Sequence, residues 1–171
     1  MSAEVSDIVS PDEAAALAQL DGALRGDSAW SCQQFAALLS DDKSAVDQSG
    51  GTRYRLLGAY QGGALIAFMV CSTGPFDLEI EMLGVDVRYR RRGIAGALVR
   101  TVIEWGRRSG YERLLLEVRE GNDAALSLYA RLGFSLDARR SGYYPRSPEA
   151  GPGEREDALL MSLALARPRA P

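Results

Sequence analysis

The stretch DLEIEMLGVDVRYRRRGIAGALVRTVIEWGRRSG, residues 77–110, changes its hydrophobic period half-way along. In its first half Leu78, Ile80 and Met82 alternate with Glu79, Glu81 and Leu83, the two-residue period of a strand. Gly84 lies inside that strand and marks a bulge or a close backbone approach. From Gly93 to Ser109 the period is helical, with Ile94, Leu98, Val102 and Trp105 on one face and Gly110 as the stop. Between strand and helix stand four arginines, Arg88, Arg90, Arg91 and Arg92. A helix that begins at Gly93 leaves its first amides unpaired, and their partial positive charge favours an anion. Gly93, Ala95 and Gly96 carry little or no side chain, so a phosphate can approach the backbone. The competing reading is a solvated basic turn before a glycine-tolerant helix start. The Gly-Lys-Ser/Thr of a P-loop is missing, and Gly93-Ile94-Ala95 does not fit G-x-G-x-x-G.

Outward from this unit the chain reads as alternating elements. Ala14, Leu17, Leu20 and Leu24 give residues 11–24 a helical period. In WSCQQF, Ser31 is placed to cap a second helix with Gln34 as its reciprocal partner, and Trp30 and Phe35 as a hydrophobic staple. Residues 41–52 read as a loop. YRLLGAY and ALIAFMVCS flank Gly62 and Gly63 as a β-hairpin. After the central helix, RLLLEVR reads as a buried strand. GNDAALSLYARLGF reads as a short helix capped by Asn122 or Asp123 and ended by Gly133. FSLDARRSGYY and EDALLMSLAL read as two final strands joined by a Pro/Gly-rich loop. Residues 166–171 read as a frayed tail. The order is that of a mixed α/β sheet in a single domain, residues 1–171.

Composition narrows the chemistry. The 171 residues are 46% hydrophobic and 25% charged, with net charge −3. An acidic chain with one local arginine cluster does not suit general nucleic-acid binding. No run of apolar residues is long enough to span a bilayer, and the acidic N-terminus lacks the basic start of a signal peptide. A cytoplasmic protein without a membrane or nucleic-acid partner is expected. Cys32 and Cys71 are too few for a disulfide framework. There is no histidine. That removes Ser-His-Asp and Cys-His catalysis and nearly all common zinc sites, so no metal is expected and a general base must come from another residue type.

RRRGIA matches the R/Q-x-x-G-x-G/A motif of the GNAT superfamily of acyl-CoA-dependent N-acetyltransferases. LEVREGNDAALSLYARLGF, ARRSGYYP and EDALLM continue the resemblance, towards the RimI-like branch of ribosomal-protein N-terminal alanine acetyltransferases. AWSCQQF resembles that branch's motif between its first two helices. The resemblance is strong over residues 77–161. It implies a central splayed mixed sheet with helices on both faces, and acetyl-CoA in the gap where two parallel strands part. Leu83, Gly84 and Val85 would then pair with the pantetheine arm. Arg91, Arg92, Gly93, Ile94, Ala95 and Gly96 would surround the pyrophosphate, and Asn122 would contact the cofactor as well as, or instead of, capping its helix.

By the same resemblance Glu117 is the general base and Tyr129 the general acid, with Glu79 and Glu81 as rivals for the base. The residue types suit the tasks: a carboxylate accepts a proton from an amine, and a phenol can protonate a thiolate. Trp30, Arg139, Tyr143 and Tyr144 would shape a peptide slot. An α-amine, with pKa near 8, is roughly a tenth neutral at pH 7, far more than a lysine amine, so a weak carboxylate base suits protein N-termini. The expected partner is a protein N-terminus, a ribosomal protein's in that branch, and the expected state a monomer or weak dimer. The alternatives are a GNAT enzyme acting on lysine or a small amine, and a non-catalytic acyl-CoA sensor. Three departures stand out: Gly84 where alanine is usual, Gly121 where a serine-like residue precedes Asn122, and a long loop from Arg146 to Arg155.

Overall fold

A computed structural model describes residues 3–40, 53–145 and 155–165. The loop expected over 41–52, residues 146–154 of the long loop and the tail 166–171 lie outside the described residues. The elements run β1 (Glu4–Ile8), α1 (Ala14–Arg25), α2 (Cys32–Ser40), β2 (Arg53–Gln61), β3 (Ala64–Thr73), β4 (Asp77–Val85), α3 (Ile94–Ser109), β5 (Arg113–Arg119), α4 (Asp123–Arg131), β6 (Ser135–Tyr144) and β7 (Glu156–Ala164). Among the described residues they form one seven-stranded sheet, ordered β1-β2-β3-β4-β5-β7-β6. Every neighbouring pair is antiparallel except β4 with β5.

The expected local chemistry is in place. The Ser31 Oγ accepts from the Gln34 N–H at 3.3 Å, and the Gln34 Oε1 accepts from the Ser31 N–H at 2.9 Å. The Trp30 and Phe35 rings lie 5.6 Å apart across that cap. Gly62 and Gly63 both take positive φ, 59° and 80°, as a tight hairpin turn between twisted strands requires. Gly110 closes α3 in the left-handed conformation.

Two hydrophobic cores lie on opposite faces of the sheet. Under α3 and α4, Ile94, Leu98, Val99, Val102 and Ile103 pack on Leu78, Ile80, Leu114, Leu116 and Val118. Under α1 and α2, Leu17, Leu20 and Phe35 pack on Leu56, Phe68 and Val70. The sheet therefore has helices on both faces.

Two expectations need correction. β1 was not foreseen: EVSDI is short and polar, and what makes it a strand is its antiparallel ladder on β2, Glu4 against Tyr60 through Ile8 against Leu56. The alternation assigned to β4 also fails half-way. Val70 pairs with Met82 but Cys71 with Ile80, so Glu81 is an extra, bulged residue. The bulge resets which side each following residue faces. Leu78 and Ile80 belong to the core under α3, whereas Met82 packs into the core under α1 and α2, and Leu83 and Val85 return to the first.

Gly84 is a close approach, not the bulge itself. A Cβ there would stand 2.7 Å from the Phe68 ring and 2.8 Å from the Leu24 Cδ1. Large neighbours fill the room an alanine would use. Gly84→Ala is expected to destabilise the fold by about 1–3 kcal/mol through overpacking. Denaturant titration should also show Leu24→Ala costing less in the Gly84→Ala background than in the wild type, because the two atoms compete for one space.

Candidate active site

The parallel ladder between β4 and β5 runs from Asp77 opposite Arg113 to Ile80 opposite Leu116 and stops there. β4 continues to Val85 along β3, with Leu83 opposite Met69 and Val85 opposite Ala67. β5 continues to Arg119 along β7. The two strands thus part at the Glu81 bulge, and among the described residues no strand lies across the gap that the inner backbone edge of Leu83, Gly84 and Val85 faces.

At the end of β4 the chain enters the arginine turn. Asp86 accepts from the Arg88 N–H at 2.9 Å and pairs with its guanidinium at 2.6 Å. Those bonds hold the partly buried Asp86 carboxyl below its usual range. The Arg90 Nε donates to the Val85 carbonyl and the Arg92 Nη2 to the Arg88 carbonyl. The guanidinium of Arg92 also lies 5.2 Å from the Tyr89 ring centre. Three of the four arginines therefore tie the turn together. Arg91 sits at φ 63° and, among the described residues, its side chain makes no hydrogen bond or ion pair.

Gly93 follows at φ 79°, and nothing lies within 4 Å of where its Cβ would be. The first intrahelical bond of α3 runs from the Ala97 N–H to the Gly93 carbonyl at 3.0 Å. The amides of Ile94, Ala95 and Gly96 precede it, at the positive end of a 16-residue helix. The guanidinium of Arg100, one turn on, lies beside Gly96, 3.2 Å from where a Cβ would stand. The sequence reading did not include Arg100; its i,i+4 spacing from Gly96 was the available signal. The set of small residues, bare amides and cations fits a phosphorylated ligand.

The opposite face of the splay carries carboxylates. Leu115, Glu117 and Arg119 alternate with the core residues Leu114, Leu116 and Val118, so they point away from α3. Glu117 Oε1 lies 2.9 Å from the Arg140 Nη1 on β6. Glu79 faces Ser72 across the β3–β4 ladder, and the Ser72 hydroxyl donates to Glu81 Oε1 at 2.6 Å. Partial burial, with Glu81 and Glu117 close by, pushes the Glu79 carboxyl above its usual range, and Arg140 opposes that shift. Glu79 and Glu81 also line a cleft of about 460 Å³ that runs past Ser72, Leu115 and Tyr54 to Phe76.

The aromatic pair of β6 borders this cluster. The pairing register of β6 slips between Arg140 and Tyr144, and Gly142, at φ 60°, donates its N–H to Asp157. The Tyr143 ring lies 4.6 Å from the Arg140 guanidinium, and the Tyr144 ring 4.3 Å from that of Arg119. Burial, then the nearby Glu117, raises the Tyr144 phenol. Arg139 does not join them. It stands opposite Leu159, which packs towards the α3 core, and binds Glu120 at 2.5 Å and Asp157 at 2.7 Å. Arg140, which the sequence reading passed over, is the arginine at Glu117; only strand alternation along ARR distinguishes the two.

Tyr129 lies on the α3 side of the sheet, 6% exposed, against Phe134 at 5.4 Å. Burial, with Cys71 nearby, pushes its phenol up to about 12. Burial likewise pushes the fully enclosed Cys71 thiol up to about 12. Asn122 caps α4, its Oδ1 accepting from the Ala125 N–H at 3.2 Å. Gly121 before it is also explained: its N–H donates to Glu156 Oε1 at 3.0 Å, and a Cβ would lie 2.7 Å from that oxygen. Trp30 stands at the α1–α2 corner, its N–H held at 2.7 Å by the buried carboxylate of Asp21, which Arg25 also binds.

A family model described as "Acetyltransferase (GNAT) family" matches residues 25–134, which takes in the gap, the arginine turn and α4. The chain belongs to the GNAT acetyltransferase family. This GNAT chain is 30% identical over 138 residues to the ribosomal protein bS18-alanine N-acetyltransferase of Escherichia coli, a match covering 81% of this chain and 90% of that protein. It is 40% identical over 92 residues to the N-alpha-acetyltransferase RimI of Mycobacterium tuberculosis, covering 52% of this chain and 56% of that one. The crystal structure of the ribosomal-protein-S18-alanine N-acetyltransferase from Escherichia coli superposes with a TM-score of 0.79 at 26% identity, covering 97% of this chain and 96% of that one.

Gly93→Ala meets no steric obstacle, so its cost is backbone strain alone. Holding an alanine at φ 79° should lower stability by about 1 kcal/mol in a urea titration. No change in stability would mean that the turn reaches the same geometry without glycine.

Proposed function

We propose that this GNAT enzyme transfers an acetyl group from acetyl-CoA to the α-amine of a protein N-terminus. The observation that carries the reading is the division of the splay. A cationic helix end lies at its donor side, a carboxylate cluster at its open face and a buried phenol behind it. The bS18-alanine and N-alpha-acetyltransferase names of the relatives support the acceptor class, and the first of them points to the N-terminus of a ribosomal protein. Glu79 and Glu81 open on a cleft that an extended peptide can enter.

The donor's phosphates would be held by the amides of Ile94, Ala95 and Gly96 and by Arg91, with Arg92 fixing the turn. The inner edge of Leu83, Gly84 and Val85 would bind its arm, and Asn122 would approach it from the α4 cap. Bound there, acetyl-CoA supplies an acetyl group already activated as a thioester. Trp30, Tyr143 and Tyr144 would border the peptide.

Glu117 takes the proton of the arriving ammonium, directly or through a water, and leaves a neutral nucleophilic amine. Glu79 and Glu81 add negative charge that attracts the cation. Tyr129 is fully protonated at neutral pH and supplies a proton to the departing sulfur. A phenol pushed up to about 12 keeps its proton until the departing thiolate forms beside it.

The test is turnover on peptides with free or blocked N-termini, each with lysines free or blocked. Transfer to free N-termini alone supports the reading; modification confined to lysine side chains rejects it. Glu117→Gln and Tyr129→Phe should each lower kcat about 100-fold or more. An unchanged Glu117→Gln rate would assign the base to Glu79 or Glu81. Because the Tyr129 phenol ionises only near 12, kcat should show no falling limb from loss of that acid between about pH 8 and pH 10. A limb in that window that vanishes in Tyr129→Phe would contradict the assignment.

A further inference from the structure

We infer that Arg140 is a displaceable counter-ion: it pairs with Glu117 in the resting enzyme, and the substrate's ammonium takes its place. This rests on the reading of the open face as the acceptor site.

The groups around Glu117 set the problem. Glu79 and Glu81 approach from β4, and the repulsion among three carboxylates favours protonating one of them. Arg119, next but one to Glu117 on β5, is engaged by Glu156 at 3.0 Å and by the Tyr144 ring. Arg140 is the cation in direct contact with Glu117, at 2.9 Å. Its guanidinium also rests on the Tyr143 ring at 4.6 Å, so it has a second seat beside the carboxylate.

Exposure decides which partner yields. The Arg140 side chain is 47% exposed and that of Glu117 22%, so the arginine covers the carboxylate from the solvent side. Solvent-facing pairs of this kind are weak and exchange readily. The exchange also changes the chemistry. A guanidinium does not give up its proton in a protein, whereas an α-ammonium with pKa near 8 does. Arg140 therefore occupies the carboxylate without giving it a proton, and the substrate replaces it with a cation that the base can deprotonate. The acetylated product is a neutral amide and cannot hold Glu117 against the returning arginine, which favours its release.

The test compares wild type, Arg140→Gln, Arg140→Lys, Glu117→Gln and the Glu117→Gln/Arg140→Gln double variant on a free-N-terminus peptide across pH. In Arg140→Gln the acid limb of kcat/KM should move up by roughly half a unit or more, since the carboxylates lose their cation. At pH 7, KM for the cationic peptide should fall about threefold or more while kcat stays within about twofold, because Arg140 is already displaced in the complex. Inhibition by the acetylated peptide should strengthen. Arg140→Lys, which keeps the charge, should restore most of the acid limb, and Arg140→Gln should shift nothing further in the Glu117→Gln background. A lowered melting temperature with an unmoved acid limb and KM would show a merely structural arginine and overturn the proposal. A wild type inert on N-terminal peptides rejects the functional reading itself; an active wild type with an unshifted Arg140→Gln rejects only the role of Arg140.

Discussion

The architecture depends on the early end of one ladder. β4 and β5 pair in parallel only as far as Ile80 and Leu116. Beyond that point each is kept in the sheet by its other neighbour, β3 for β4 and β7 for β5. The bulged Glu81 sits where they separate. Without it, Met82 and the residues after it would face the opposite core, and the strand could not leave its partner while burying its apolar side chains. Parting exposes backbone groups that a continuous sheet would satisfy internally, and exposed backbone is what a linear ligand can bind.

Charge is distributed across that opening in opposite senses. α3 presents its unpaired amides with Arg91 and Arg100 at one side, and Glu79, Glu81 and Glu117 stand on the open face. A net charge of −3 conceals this arrangement, because most of the arginines near the turn are spent on Asp86, on backbone carbonyls or on the Tyr89 ring. The local field, not the total charge, separates a side suited to an anion from a face suited to a cation.

Much of this was legible in the sequence where local chemistry decides the structure. The Ser31–Gln34 cap, the Gly62-Gly63 turn, the Asn122 cap and the extent of α3 each depend on residues within one turn of one another. The strand–turn–helix unit and the carboxylates of β4 and β5 could likewise be placed from period and motif. What escaped depends on pairing between distant segments. β1 has too little apolar character to announce itself and is a strand because β2 offers an edge. The Glu81 bulge leaves no mark in DLEIEMLGV, since Met82 and Leu83 are both apolar and either can be buried. Arg140 and Arg139 are adjacent and identical in type, and only the register of β6 on β7 turns one towards Glu117 and the other towards Glu120 and Asp157.

Among the described residues the two cores stay separate, because the sheet stands between them. The helix that begins at Gly93 rests on the core of Leu98, Val102 and Leu116, and the α1–α2 corner on that of Leu17, Phe35 and Phe68. A change in the second set can reposition Trp30 without disturbing the helix end at Gly93. If the proposed acceptor role of Trp30 holds, such a molecule can drift in acceptor preference while its donor side stays fixed, and divergence would accumulate faster in α1 and α2 than in α3.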